Sequence, residues 1–166
     1  MRHGVKIAAE RLSEDTHSNM RYAISAGTIF VRDGRLLLVH HRGGADDFWV
    51  PPGGRLRGEE SILDCARRET YEETGLEVQP ERVVYLQEFL EGELHFCKFW
   101  ILAQPPRGTP TVEHRDPDEG FVVEARFASQ SEIARWTVYP AILKDQFWED
   151  LERGFPEARY LGLERI

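Results

Sequence analysis

Cysteine is almost missing from this chain: Cys65 and Cys97 are the only two in 166 residues. They fit neither a disulfide framework nor a metal-ligand spacing, so the fold has to hold by burial and both thiols read as inert. A chain of this length can bury about 70% of its unfolded surface, which makes covalent staples unnecessary. Lysine is also scarce, three residues against eighteen arginines, and Asn19 is the sole asparagine. That is compositional bias rather than heat adaptation, whose proteome-wide mark is enrichment in Lys and Glu. No run is long and apolar enough to span a bilayer. The opening MRHGVKIAAERLSEDTHSNM is charged throughout, with no apolar signal core. A cytoplasmic protein with no membrane partner is therefore expected. Positive charge is in deficit too, with a formal net charge of −8. Non-specific affinity for nucleic acid comes from Lys and Arg neutralising phosphates, so stable nucleic-acid binding is not expected. The same acidity repels a polyphosphate unless metal ions intervene.

Repeats and low-complexity segments are absent as well, and the length predicts one domain. Residues 1–20 read as a polar N-terminal extension without a clear period, open either to disorder or to strand addition; residues 21–166 read as the domain. Within it, RYAISAGTIFV is rich in β-formers, and Asp33-Gly34 predicts a hairpin turn into RLLLVHH. Residues 42–48 read as a loop. Glu77–Leu90 and Leu94–Ala103 read as two long strands, and 104–119 as a Pro-rich, charged loop. Phe121–Phe127 is a last strand. Ser129 starts a short helix, Pro140 to about Arg153 is a longer amphipathic one, and the tail from Gly154 reads as irregular. Strands, one helix, more strands and then helices make an α/β layered domain.

What the chain does have is a concentration of acid in Gly54–Leu76, GRLRGEESILDCARRETYEETGL. Glu69, Glu72 and Glu73 stand at i, i+3 and i+4, so they share one helix face. Like charges so placed destabilise a helix unless something neutralises them. Hard divalent cations take carboxylate oxygens, and Arg68 can hold a carboxylate by a charge-assisted pair. Gly53-Gly54 permits a tight turn and close approach to a ligand. Ser61 is a good N-cap, with Asp64 three residues on, and Gly75 is placed for a left-handed C-cap. Leu63, Ala66 and Thr70 form a modest inward stripe, and the Thr70 hydroxyl is expected on the Ala66 carbonyl.

This stretch resembles the Nudix box, the signature of the Nudix (MutT-like) hydrolases. The seven fixed places hold Gly54, Glu60, Arg68, Glu69, Glu72, Glu73 and Gly75. At ~7% usage per residue type, seven chance matches would arise about once in a million chains. Thr70 departs from the pattern, which has an aliphatic residue there. The resemblance implies a Nudix-type α/β/α sandwich with a mixed sheet. It implies hydrolysis of a nucleoside diphosphate linked to another moiety, with Mg2+ or Mn2+ as cofactor. Glu69 and Glu73 look like the main metal ligands, with Glu72 sharing or bridging and the Gly53 carbonyl as a backbone ligand. Arg68 would orient the glutamates, and Glu60 is peripheral. The base would be Glu69 or a carboxylate from the loop before the last strand, where Glu113, Asp116, Asp118, Glu119 and Glu124 are candidates. Glu119, at the loop–strand junction, is the preferred fourth acidic ligand or base. Many relatives are dimers, so a homodimer is a further expectation.

Other features are weaker. His40 and His41 point to opposite faces of a strand, so they make no paired metal site. His40 or Arg42 is a candidate substrate contact, as are Trp49 beside the glycine turn and Arg55, which with Arg57 flanks it. The plain alternatives are packing for the tryptophan and solvation for the arginines. His114-Arg115-Asp116 imitates a kinase triplet, but the accompanying glycine-rich loop and Asp-Phe-Gly are missing. Two other classes stay in view. A Nudix-fold binding or regulatory module would usually lack box carboxylates, and an isoprenoid diphosphate isomerase would need a catalytic cysteine. The complete box favours hydrolysis over both.

Overall fold

The computed structural model describes residues 19–115 and 120–166. The expectations for the N-terminal extension fall, but for Asn19 and Met20, outside the described residues. The first strands are β1 (Arg21–Ile29), β2 (Val31–Arg32), β3 (Arg35–Gly43), β4 (Asp46–Val50) and β5 (Gly53–Arg55). The helix α1 (Ile62–Thr74) follows, then β6 (Gln79–Glu91), β7 (Leu94–Gln104) and β8 (Val122–Ser129). Two short helices, α2 (Gln130–Ile133) and α3 (Gln146–Glu152), flank a 3-10 turn at Ala141–Lys144 and lead to β9 (Arg159–Arg165).

The strands form two sheets. One is five-stranded in the order β5-β1-β7-β6-β9. It is mixed, since β1 runs parallel to β7 and β6 parallel to β9, while β1–β5 and β6–β7 are antiparallel. In the other sheet β3 is central, with β8 on one edge and both β2 and β4 on the opposite edge. Side chains from both sheets interdigitate in the main core, with Leu36, Leu38, Tyr85, Trp100 and Phe147 buried together. The helix α1 lies on the outer face of the larger sheet and buries Cys65 and Ala66 against Ala26 and Ile101. This is an α/β fold with a mixed sheet and few helices.

The box helix forms as its caps dictate. Ser61 Oγ accepts from the Asp64 backbone N–H at 3.1 Å, and Gly75, at φ 66°, donates its N–H to the Tyr71 carbonyl at 2.8 Å. The Thr70 hydroxyl donates to the Ala66 carbonyl at 2.7 Å and meets the Thr28 hydroxyl at 2.6 Å, so the polar intruder among aliphatic positions is satisfied. Leu63 is not part of the inward stripe: it is exposed, and the buried face is Cys65, Ala66, Glu69, Thr70, Glu73 and Thr74. Most of that face is therefore polar or acidic.

Three expectations for the backbone change. Residues 42–48 are no loop. β3 runs to Gly43, turns through Gly44 at φ 61°, and β4 returns with His41 opposite Phe48 and Arg42 opposite Asp47. The helix expected from Pro140 breaks at Asp145, whose φ −139° and ψ −83° end the 3-10 turn and whose carboxylate then caps α3. The tail is a strand: β9 adds parallel to the β6 edge and is pinned by Arg159, which donates to buried Asp150 at 2.8 and 2.9 Å.

Candidate active site

The site is built where α1 crosses β5. Gly53 and Gly54 pair antiparallel with Gly27 and Ala26 of β1, which brings the turn against the acidic face of the helix. The Gly53 N–H donates to Glu73 Oε2 at 2.8 Å. A Cβ on Gly54 would lie 2.5 Å from the Glu69 carboxylate, so only glycine leaves room for it. Ser25 donates to the Gly54 carbonyl at 2.6 Å and ties the turn to β1.

Arg68 neutralises what the helix spacing crowds together. Its Nε and Nη2 grip Glu60 at 3.0 and 2.6 Å, a bidentate charge-assisted pair. Nη1 donates to Glu69 Oε1 at 2.7 Å and to Glu72 Oε2 at 3.0 Å, and Nη2 also reaches the Arg55 carbonyl at 3.1 Å. Arg57 adds a second cation to Glu72 at 3.2 Å. Glu60 is consequently held below the usual carboxylate range, with the Arg68 hydrogen bonds the leading cause. Glu69 goes the other way: burial raises its pKa, opposed by Arg68. Its Oε2 is buried with no hydrogen-bond partner. Orphaned polar atoms of this kind are rare in native structures and mark places where something else binds.

The donors suit a hard cation in kind: carboxylates in a buried, glycine-lined corner. Among the described residues, however, no three acidic, His or Cys side chains converge closely enough to hold an ion. Arg68 and Arg57 draw Glu72 outward, leaving Glu69 and Glu73 as the inward pair. Asp116, Asp118 and Glu119 lie outside the described residues. Glu124 sits opposite His40 in the β3–β8 ladder and pairs loosely with Arg126 at 3.8 Å.

A cleft opens in front of the glycine turn, in two connected parts of about 440 and 410 Å³. Arg42 and Arg55 line the first part. Trp49 does not line either part. It is buried, stacked between His40 at 4.4 Å and Trp136 at 4.5 Å, and belongs to the core. The histidines alternate as strand geometry requires: His40 turns to Trp49 and Asp47, while His41 enters the cleft. The cleft-lining member of the pair is thus His41, which the sequence did not single out. It sits between Phe48 and Phe121, 3.9 Å from Glu73, and burial lowers its pKa to about 4, with Lys98 and His40 adding to the effect. The imidazole is neutral at pH 7. Lys98 is the other residue missed. A lone charge inside LHFCKFWILA was its only signal. Cys65 is inert as expected, since burial pushes its thiol up to about 12.

The family model described as NUDIX domain matches residues 21–147. The chain belongs to the Nudix family. Phosphatase NudJ of Escherichia coli K12 is 24% identical over 92 residues, which cover 55% of this chain and 60% of that one, so the match spans less than two thirds of the curated relative's length. Among solved Nudix structures, the MutT protein of Methanosarcina mazei Go1 superposes with a TM-score of 0.66 at 21% identity, covering 84% of this chain and 99% of that one. An ADP-ribose pyrophosphatase of Streptococcus suis 89-1591 gives 0.57 at 21% identity, covering 86% and 98%. At such identities these neighbours speak to the fold alone. The family match ends before β9, which nevertheless completes the larger sheet. No helix among the described residues is long and apolar enough to cross a membrane.

Proposed function

We propose that the chain is a metal-dependent pyrophosphohydrolase that cleaves the diphosphate of a nucleoside diphosphate joined to another moiety. The observation that carries this reading is the orphaned, buried Glu69 oxygen beside Gly54, with Glu73 held next to it on the Gly53 N–H. Two buried carboxylates against a glycine turn are an unfavourable arrangement that a bound cation relieves. Mg2+ or Mn2+ would be held by Glu69 and Glu73, with Glu72, the Gly53 carbonyl and Glu119 as further ligands. Bound there, the ion supplies charge neutralisation of the diphosphate and activation of water.

The protein's own contribution is positioning. Arg68 keeps Glu69 oriented and is already committed to Glu60 and Glu72, so it serves the glutamates rather than the substrate. Arg42 and Arg55 stand on the cleft wall where phosphate oxygens can be met. Neutral His41 offers a hydrogen bond without adding charge. The name of the curated relative, a phosphatase, is compatible with phosphate-ester or phosphoanhydride chemistry and leaves the moiety open. The test is a hydrolysis screen of nucleotide sugars, ADP-ribose, dinucleoside polyphosphates and nucleoside triphosphates, with Mg2+, with Mn2+ and with chelator. Turnover that needs the metal supports the reading, and full turnover in chelator overturns it. A protein that binds these compounds but cleaves none would instead be a Nudix-fold binding module.

A further inference from the structure

The two parts of the cleft share a wall of His41, Phe48, Glu91, Phe96 and Lys98, so Lys98 stands where they meet. It lies on β7 directly opposite Ser25 of β1, the residue that ties down the Gly54 carbonyl, so it is one strand away from the glycine turn. Its ammonium rests 4.6 Å from the centre of the Trp100 ring and makes no salt bridge among the described residues. A cation without a salt-bridge partner in a half-buried site is unfavourable, and burial lowers the pKa of this lysine while the charges of Glu73 and Glu69 oppose that shift. Such a position favours an anionic ligand. The second part of the cleft is mainly apolar, with Phe89, Phe96 and Trp100 on its wall beside Glu91 and His41, and the buried indole nitrogen of Trp100 has no partner. On the other side of Lys98 lie the glycine turn and the arginines.

We propose that Lys98 is the specificity-determining cation of this cleft: it binds the phosphate that carries a flat heteroaromatic group, and that group seats among Phe89, Phe96 and Trp100. The proposal rests on the glutamate-lined turn being the diphosphate site. It fixes the direction of the substrate. The aromatic half enters the apolar part, the scissile diphosphate spans Lys98 and the turn, and the other half leaves past exposed Arg42 and Arg55. Discrimination is therefore strict for the aromatic half and slack for the other.

The experiment measures binding apart from turnover. The full chain with Mg2+ is titrated calorimetrically with the α,β-methylene diphosphates of adenosine, guanosine, cytidine and uridine, and with methylenediphosphonate, which has no ring. A charge-assisted contact predicts that K98M weakens the best nucleotide analogue by about tenfold or more, that K98R recovers most of the loss, and that methylenediphosphonate binds about tenfold or more below that analogue. K98M removes a half-buried charge that has no salt-bridge partner, so its melting temperature should equal or exceed that of wild type, which separates lost binding from lost folding. Binding by K98M within about twofold of wild type, or no analogue surpassing methylenediphosphonate, overturns the proposal. Hydrolysis of the matching nucleotides is followed in parallel. Lys98-dependent binding without turnover would remove the hydrolase reading and keep this one; turnover indifferent to K98M would do the reverse.

Discussion

Gly54→Ala is the sharpest test of how the site is held. The added methyl would lie 2.5 Å from Cδ and Oε1 of Glu69 and 2.7 Å from Oε2, distances that real Cβ contacts do not reach. The carboxylate cannot step aside easily, because Oε1 is fixed by Arg68 at 2.7 Å. Nor can β5, which is paired with β1 and anchored by Ser25. Overpacking of this kind costs about 1–3 kcal/mol, and each kcal/mol moves Tm by about 2–4 °C in a domain of this size, so G54A should melt about 2–12 °C below wild type in chelator. The functional loss should be larger. A displacement near 1 Å at a reacting centre costs about a hundredfold, so turnover should fall at least that far and the apparent Mg2+ affinity with it. Gly43→Ala is the stability control, since its new methyl meets only the Phe121 Cβ at 3.6 Å and its Tm should not move. The measurements are thermal unfolding in chelator, Mg2+ titration, and initial rates on the best substrate. G54A with wild-type Mg2+ affinity and rate would refute the claim that the Gly54–Glu69 contact sets the site.

Three further outcomes are expected. Glu73→Gln should lower turnover by about a hundredfold or more, because the lost charge acts most strongly on the transition state, while the fold survives by circular dichroism. Thr70→Val should keep wild-type turnover but lose about 1–3 kcal/mol of stability, because it strands the buried Thr28 hydroxyl; the double variant T28V/T70V should recover part of that in chemical denaturation. Asp150→Asn should cost about 1.5–3 kcal/mol at pH 7 by weakening the hydrogen bonds from Arg159 and Tyr85. Arg159 holds the Asp150 carboxyl below its usual range, so that stability is present above the ordinary carboxylate pKa and disappears as pH falls through the lowered one. The Tm gap between D150N and wild type should therefore close in strong acid; a gap that persists unchanged would assign the loss to packing.

The parts of this molecule that were legible in the sequence are those fixed by local rules. Ser61 and Gly75 mark the ends of α1 because capping depends on a few neighbouring groups. The Thr70 hydroxyl had a partner one turn back whatever the tertiary structure. The parts that were not legible depend on distant strands. Gly43-Gly44-Ala45-Asp46-Asp47 has the composition of a loop, yet it closes a hairpin on a β3 strand that β8 pairs from the other edge. Arg159–Arg165 is interrupted by Gly162 at φ 91°, and a parallel edge strand announces itself by no hairpin turn. Trp49 is near the glycine turn in chain order alone. In space the direction of β4 sends its ring into the core, with His40 and Trp136 on its two faces.

The same distinction explains why the carboxylates of the site were readable and its opposite wall was not. A helix brings its own residues together at fixed spacing, so Glu69 and Glu73 could be assigned to one face from their numbers alone. The opposite wall is assembled from β3, β6 and β7, and period two leaves the inward face of each strand undecided until the sheets pack. His41 and His40 differ by one position and by everything about their surroundings: one lies 3.9 Å from Glu73 in an open cleft, the other is clamped between Asp47 and Trp49. Lys98 follows the same logic. Phe99 packs on the α1 side of the sheet, and Cys97 shares its face by alternation, so the residue between them must face the cleft. There its positive charge has no salt-bridge partner among the described residues to explain it. The Trp100 face and the charges of Glu73 and Glu69 offset part of the cost of burying it, and the anion proposed to bind beside it would offset the rest.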